Sequence, residues 1–305
     1  MLPSGVATKT NENGEAPRKK KRIKKMEVMV ADVIIETHDT TTLVLFTGND
    51  HLEYRAGNFL TIDPHQFEAL ARWTQYLEDV KGKKEPPRAY SLASAPHEKY
   101  LAITIKEEEY ITDRTRFPPL LSPVLVRRTP RGTHMEITGF AGPYYLPEDI
   151  EDKTDHVVHI CAGSGFVPNW SMIKSALHRD LKLKHTVVYG NKTWNDIIYR
   201  DELAAFAAKH SDRVEIIHAL SREPDAEKRG PNVKSGRVTL DLLKDVVPDW
   251  SAVRVFTCGP ALTKWDKKHA KETGEPMNPR FLESVLSAMD ELGVTKQQLH
   301  KESYG

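Results

Sequence analysis

His156-Val157-Val158-His159-Ile160-Cys161-Ala162-Gly163-Ser164-Gly165-Phe166-Val167-Pro168 decides how the second half of this chain folds. Its first seven residues form a short apolar, β-branched run that stops at two glycines, as a buried strand does. Glycine lets a backbone approach a phosphate closely, and the free N–H groups of a helix start attract anions. Pro168 suits the first position of the following helix, where a missing N–H is no loss. Beyond it, Trp170, Ile173, Ala176, Leu177 and Leu181 fall on one side of a helix. Residues 185–190, 214–219 and 253–258 are further apolar strands, alternating with helical stretches at 200–210 and 239–246. That alternation predicts an α/β domain with a doubly wound parallel sheet.

Upstream the rhythm differs. Residues 26–35, 41–46, 57–62, 101–105 and 135–138 are short β-branched segments separated by turn residues, as in a small antiparallel β-barrel. Residues 65–84 interrupt them, with Phe67, Leu70, Ala71, Trp73, Thr74 and Leu77 nearer helical than strand spacing. Arg88-Ala89-Tyr90-Ser91 follows as an extended segment, so Arg88 and Tyr90 share one face and Ser91 takes the other. A guanidinium fork can grip a pyrophosphate and a Tyr ring can cover a flat ring. An acidic stretch at 148–153, flanked by Pro147, marks the boundary between a domain at 26–150 and one at 151–305.

The 305 residues suffice for two such cores, and 39% hydrophobic with 29% charged residues is a soluble globular balance. No run approaches 18 consecutive apolar residues, so no transmembrane helix or apolar secretory leader is expected. Two cysteines, Cys161 and Cys258, exclude a disulfide framework and any cluster needing four cysteines of this chain. They suit a reducing, cytoplasmic setting. No His, Cys or carboxylate spacing suggests a metal site or a hydrolytic triad. Seven of the eight residues 18–25 are basic, so a chain of net charge +1 carries −6 elsewhere. Residues 1–25 therefore look like a disordered basic tail, a solvated leader or a landing site for an acidic partner rather than for nucleic acid.

The ordered set of Arg-x-Tyr-Ser in a barrel, Gly-x-Gly-x-x-Pro opening an α/β domain, and Cys258-Gly259-Pro260 ending its last strand resembles the ferredoxin–NADP reductase superfamily. The likeness spans about residues 27–305. It implies that Arg88, Ala89, Tyr90 and Ser91 hold FAD, with Ser91 near the flavin N5. Ser122, opening Ser122-Pro123-Val124-Leu125, would be a second pyrophosphate contact, although the usual upstream glycine is missing. Residues 139–144 resemble the family's loop that closes the barrel, with Phe140 in place of a proline. Gly163, Ser164, Gly165 and Pro168, with Gly259 and Pro260, would line the nicotinamide nucleotide. Cys258 would sit beside the nicotinamide, whereas Cys161 is core. Ser221, Arg222 and Arg237 resemble the group that holds the 2′-phosphate of NADP, with NAD the alternative. Tyr304 and Glu302 would shield the flavin and relay a proton, although Gly305 follows the aromatic and a surface tail is the other reading.

The resemblance implies an FAD-dependent NAD(P)H oxidoreductase with Ser91, Cys258, Glu302 and Tyr304 at its catalytic centre. Lacking an iron–sulfur module, it would pass electrons to an external acceptor: a ferredoxin, a flavodoxin, an oxygenase component or free flavin. A non-catalytic flavin- or nucleotide-binding regulatory subunit is the alternative from another class. A monomer or weak dimer is expected.

Overall fold

The protein is described by a computed structural model covering residues 24–48, 52–110, 115 and 117–304. The greater part of the basic tail, and Gly305, lie outside those residues. Strand β1 (Lys24–Thr37) includes Lys24 and Lys25, which the charge pattern assigns to the tail. In β1, Met26, Val28 and Val30 stand two residues apart on one face, where Val28 and Val30 enter the core and Met26 packs against it.

The first sheet joins β1 to β2 (Thr40–Phe46), β3 (Phe59–Ile62), β4 (Arg88–Ser91), β5 (Leu101–Lys106) and β6 (His134–Ala141) in the order β4-β3-β6-β1-β2-β5. Every pairing within it is antiparallel. A bridge between Leu92 and Ile103 links the end of β4 to β5 and closes the sheet into a barrel. Leu43, Leu45, Leu60, Ile62, Leu92, Ile103 and Ile137 fill it and are inaccessible to solvent. The interruption at 65–84 is helical only in its second part, α1 (Ala71–Lys81), after two short 3-10 turns at 64–66 and 68–70. The extended backbone of Phe67, between the two turns, stops a continuous helix from starting earlier. Gly82, in the left-handed region at φ 64°, ends it, so the chain turns into β4. A short helix, α2 (Ser122–Arg127), precedes β6.

The second sheet is wholly parallel, built from β7 (His156–Ala162), β8 (Lys184–Asn191), β9 (Val214–Leu220), β10 (Val233–Ser235), β11 (Arg254–Pro260) and β12 (Leu299–Tyr304). Its order is β10-β9-β8-β7-β11-β12, so direction reverses between β7 and β11, where open α/β sheets bind their ligands. Helices α3 (Phe166–His178), α4 (Arg200–Lys209), α5 (Leu240–Val246), α6 (Lys264–Thr273) and α7 (Phe281–Glu291) connect the strands. Both faces are covered. Cys161, Val187 and Tyr189 pack with Phe166 and Trp170, while Val158, Ile160 and Val188 pack with Leu243 and Val285. This is why the strands are apolar at successive positions rather than alternating.

The two domains are joined by specific bonds as well as by the linker. The Ser171 hydroxyl donates to the Ser94 carbonyl at 2.7 Å, and Lys174 pairs with Glu98 at 2.6 Å. Tyr199 bonds Thr104 through its hydroxyl, and its N–H donates to Glu36 at 3.3 Å. Tyr144, on the chain leaving the barrel, is buried against Phe256 of β11 with its ring edge-on.

Candidate functional site

The strand-glycine-helix segment builds the nucleotide side. After β7 the backbone makes one 3-10 turn at 163–165 and runs directly into α3. Helix α3 thus begins two residues before Pro168, which occupies its third position rather than its first. The departure is small in energy, since N–H groups throughout the first turn lack intrahelical acceptors. Gly163 sits at φ +52° with open space around it. Gly165 has none: a Cβ there would lie 2.2 Å from the carbonyl oxygen of Cys258 and 2.9 Å from the Cα of Gly259. The first loop is therefore pressed onto the end of β11. Gly259 is confined in turn, because a Cβ there would meet the Phe281 ring at 2.5 Å. The Tyr189 hydroxyl donates to the Gly163 carbonyl at 3.0 Å and fixes the turn from below.

A cleft of about 1280 Å³ opens over this edge. Gly163, Ser164, Ser221, Arg222, Arg237 and Pro260 line it. Arg222 and Arg237 form no ion pair or side-chain hydrogen bond with other described residues, so both guanidinium groups face the cleft uncommitted. Glu223, next in sequence, is committed elsewhere. Its carboxylate accepts the Trp194 N–H and pairs with Arg229, which hold it below the usual carboxylate range.

A second group lies beside the cleft. Strand β12 runs parallel to β11, setting Glu302 against Cys258 and Tyr304 against Pro260. The C-terminus is thus an edge strand of the sheet, not a frayed tail. The Tyr304 hydroxyl meets the Ser91 hydroxyl of β4, bringing a residue 213 positions away in sequence onto the barrel. Ser91, Cys258, Glu302 and Tyr304 accordingly form one cluster across the domain junction. Burial drives the Cys258 thiol well above its ordinary value, with Cys161 and Glu302 adding to the effect, so it stays a neutral thiol. Burial also raises Glu302 to about 7, and its Oε2 has no hydrogen-bond partner. Cys258 is inaccessible to solvent and does not line the cleft.

These features coincide with known proteins. The oxidoreductase NAD-binding domain family matches residues 159–265. The NADH-cytochrome b5 reductase 2-B of Vanderwaltozyma polyspora is 30% identical over 189 residues, covering 58% of this chain and 60% of that protein. The chain thus spans about 60% of that relative's length. NADH-cytochrome b5 reductase 2 of Aspergillus oryzae is 24% identical over 272 residues, 84% of this chain and 80% of the relative. In fold, the chain superposes with TM-score 0.68 and 21% identity on the FAD/NAD binding domain of a nitric oxide dioxygenase from Vibrio cholerae, covering 92% of this chain and 98% of that one. The chain therefore shares the two-domain fold of these reductases, and its second domain carries the match to the oxidoreductase NAD-binding domain family.

Within that fold, the barrel residues fit a flavin in part. Tyr90 is half-buried on β4 and Ser91 holds its hydroxyl at the junction. Arg88, however, is already engaged. Its guanidinium donates to Glu85 at 2.6 Å and to the Pro86 carbonyl at 2.7 Å. Glu85 is buried and also pairs with Lys81 at 2.5 Å. Against the effect of burial, those two cations hold its carboxyl below the usual range. Two cations share one carboxylate, so the arrangement keeps a net positive charge for a pyrophosphate. Ser122 opens α2 as expected, but its hydroxyl accepts the Glu108 N–H at 3.1 Å, so one lone pair is used before any phosphate arrives. Ala89 points outward and is exposed.

Three functional features escaped sequence reasoning. Asn169, directly after Pro168, is buried and bonded to the glycine loop, and its signal was a polar residue amid the apolar run of α3. Tyr144 was legible only as part of a loop. Helix α6 and the segment after it, with Trp265 stacked on His269, form the far wall of the cleft.

Proposed function

We propose that the protein takes electrons from NADH through FAD and passes them to an external haem protein of the cytochrome b5 type. The observation that carries this reading is the cluster of Ser91, Cys258, Glu302 and Tyr304 at the meeting of the two domains, beside a glycine cradle open to a dinucleotide-sized cleft. The names of the relatives favour cytochrome b5 over a ferredoxin or flavodoxin as acceptor, and NADH over NADPH. The flavin, when bound, supplies the exchange between two-electron and one-electron transfer.

The chain's residues do the rest. Gly163 and Ser164 admit a pyrophosphate at the start of α3, where N–H groups and the helix dipole favour negative charge. Gly165 fixes the depth of that cradle against Cys258. The neutral Cys258 thiol supplies size and weak polarity next to the reacting ring, which is a positioning effect. Tyr304 excludes water from the junction until it is displaced. Glu302, whose ionisation falls near neutrality, can hold or release a proton there.

A second reading concerns the nucleotide. Arg222 and Arg237 face the cleft without partners among the described residues and could meet a 2′-phosphate, favouring NADPH. Anaerobic titration of the flavin-loaded protein with each nucleotide tests both readings. The expected result is a yellow protein bleached by NADH at concentrations at least about ten-fold lower than NADPH, with electrons recovered in added cytochrome b5. The reverse order of nucleotides establishes the second reading. A colourless protein that takes up no flavin refutes both.

A further inference from the structure

Asn169 is wholly buried, lies within an apolar helix and has nearly all its bonding capacity occupied. Its Nδ2 donates to the Gly165 carbonyl at 3.1 Å. Its Oδ1 accepts the Tyr144 hydroxyl at 3.1 Å and lies 2.9 Å from Nδ1 of His159. Because an amide oxygen only accepts, Nδ1 of His159 must carry the proton. Nε2 of His159 is then an acceptor, and it lies 3.0 Å from Nδ1 of His185, which must donate. The series of bonds ends there, since Nε2 of His185 is buried with no partner among the described residues. Burial holds His159 down to about 4 and His185 well below its ordinary value, so both rings remain neutral. Every member of this chain of bonds has one allowed orientation, and its terminal donor aims at the nucleotide loop.

The point of contact matters. Gly165 is the residue whose Cα is pressed against the Cys258 carbonyl and the Gly259 Cα. Whatever fixes Gly165 fixes the height of the loop over β11 at the residue proposed to neighbour the nicotinamide. Tyr144 enters the same network from the chain leaving the barrel, so the flavin-side domain grips that loop through the Asn169 amide. A leucine at position 169 would fill the space as well, yet it could neither hold the Gly165 carbonyl nor receive Tyr144. An ordinary core position has no such requirement.

We infer that Asn169 is a positioning residue for the nicotinamide nucleotide: with Tyr144 and His159 it sets the Gly163–Gly165 loop against Cys258 and ties that setting to the position of the barrel. This rests on the nucleotide-binding reading of the cleft. The test is the dissociation constant of NADH for the flavin-loaded full chain, measured by equilibrium titration alongside flavin content and melting temperature. Loss of a buried hydrogen bond by Asn169→Leu is expected to weaken NADH binding about five- to ten-fold while flavin content holds. Tyr144→Phe is expected to weaken it about three-fold, and the double variant to be no weaker than Asn169→Leu alone, because the hydroxyl acts through the amide. A purely structural role predicts lower melting temperatures with unchanged NADH affinity, and that result overturns the inference. Additive losses overturn the coupling through Tyr144. If Asn169→Leu fails to fold, Tyr144→Phe, which deletes one hydroxyl, decides the matter by its NADH affinity. Wild-type protein that binds flavin but no NADH instead removes the nucleotide reading on which the inference stands.

Discussion

Gly165→Ala is expected to lower kcat/KM for the nicotinamide nucleotide by about a hundred-fold, the scale on which ~1 Å of misplacement acts at a reacting centre. The cause is contact, not conformational freedom. Gly165 occupies ordinary right-handed backbone, at φ −61°, which any residue adopts. Its added methyl would meet the Cys258 carbonyl oxygen at 2.2 Å, and neither backbone can yield without moving the loop or the end of β11. Cys258 is held from both sides, by β7 and by β12, so the loop must lift. Gly293→Ala, beyond α7 and outside the cleft lining, is the matched control. Its φ is +73°; the added methyl meets nothing within 4 Å and imposes only a left-handed alanine, a strain of about 1–2 kcal/mol. Steady-state kinetics and thermal melting of the two variants separate the effects. Gly293→Ala should lose stability with modest kinetic change, and Gly165→Ala should lose nucleotide turnover. Equal kinetics in both would refute the close packing as the basis of the site.

The fold was legible where local pattern and tertiary environment agree. β7, its glycines and α3 could be read because a strand buried on both faces is apolar throughout, and the chain can turn so sharply only at glycine. The placing of Arg88 and Tyr90 on one face of an extended segment, with Ser91 on the other, followed from strand alternation. Pairing between distant elements was not legible. Nothing local in Leu299–Tyr304 marks a strand: its Lys301, Glu302 and Ser303 are polar, and the segment becomes β12 because the edge of β11 accepts it. The same edge sets Glu302 against Cys258, so the perturbed carboxyl is a tertiary product. Helix α6 has no buried residue, and its own capping box, with Thr263 and Asp266 bonded reciprocally, starts it rather than an apolar stripe. The reach of Arg88 toward Glu85 was hidden for a related reason. Charge pairing three residues apart was visible in principle, but burial of Glu85 beneath α1 was not.

Glu302→Gln is expected to remove a pH dependence from both stability and turnover. Burial raises the Glu302 carboxyl from its ordinary 4.5 to about 7 in the folded protein. Between those two values the folded state binds more protons than the unfolded one, so stability falls as pH rises across that window and levels off above it. A neutral amide of the same shape does not titrate. At pH 5 the wild type, already protonated at this position, and the variant should melt at similar temperatures. At pH 8 the variant should be the more stable, because the wild type must then keep a buried charge on a carboxylate whose Oε2 has no hydrogen-bond partner among the described residues. The kinetic consequence follows from the neighbours. Burial pushes Cys258 and Tyr304 well above their ordinary values, so neither loses a proton near neutrality, and Glu302 is the member of the cluster that does. Turnover should therefore show an inflection near pH 7 in the wild type and none in the variant. Melting curves from pH 5 to 8 and a pH–rate profile measure the two effects independently. A variant that melts with the wild-type pH slope would show that Glu302 does not titrate in that window. A variant that loses the slope but keeps the inflection would assign the kinetic ionisation to another group.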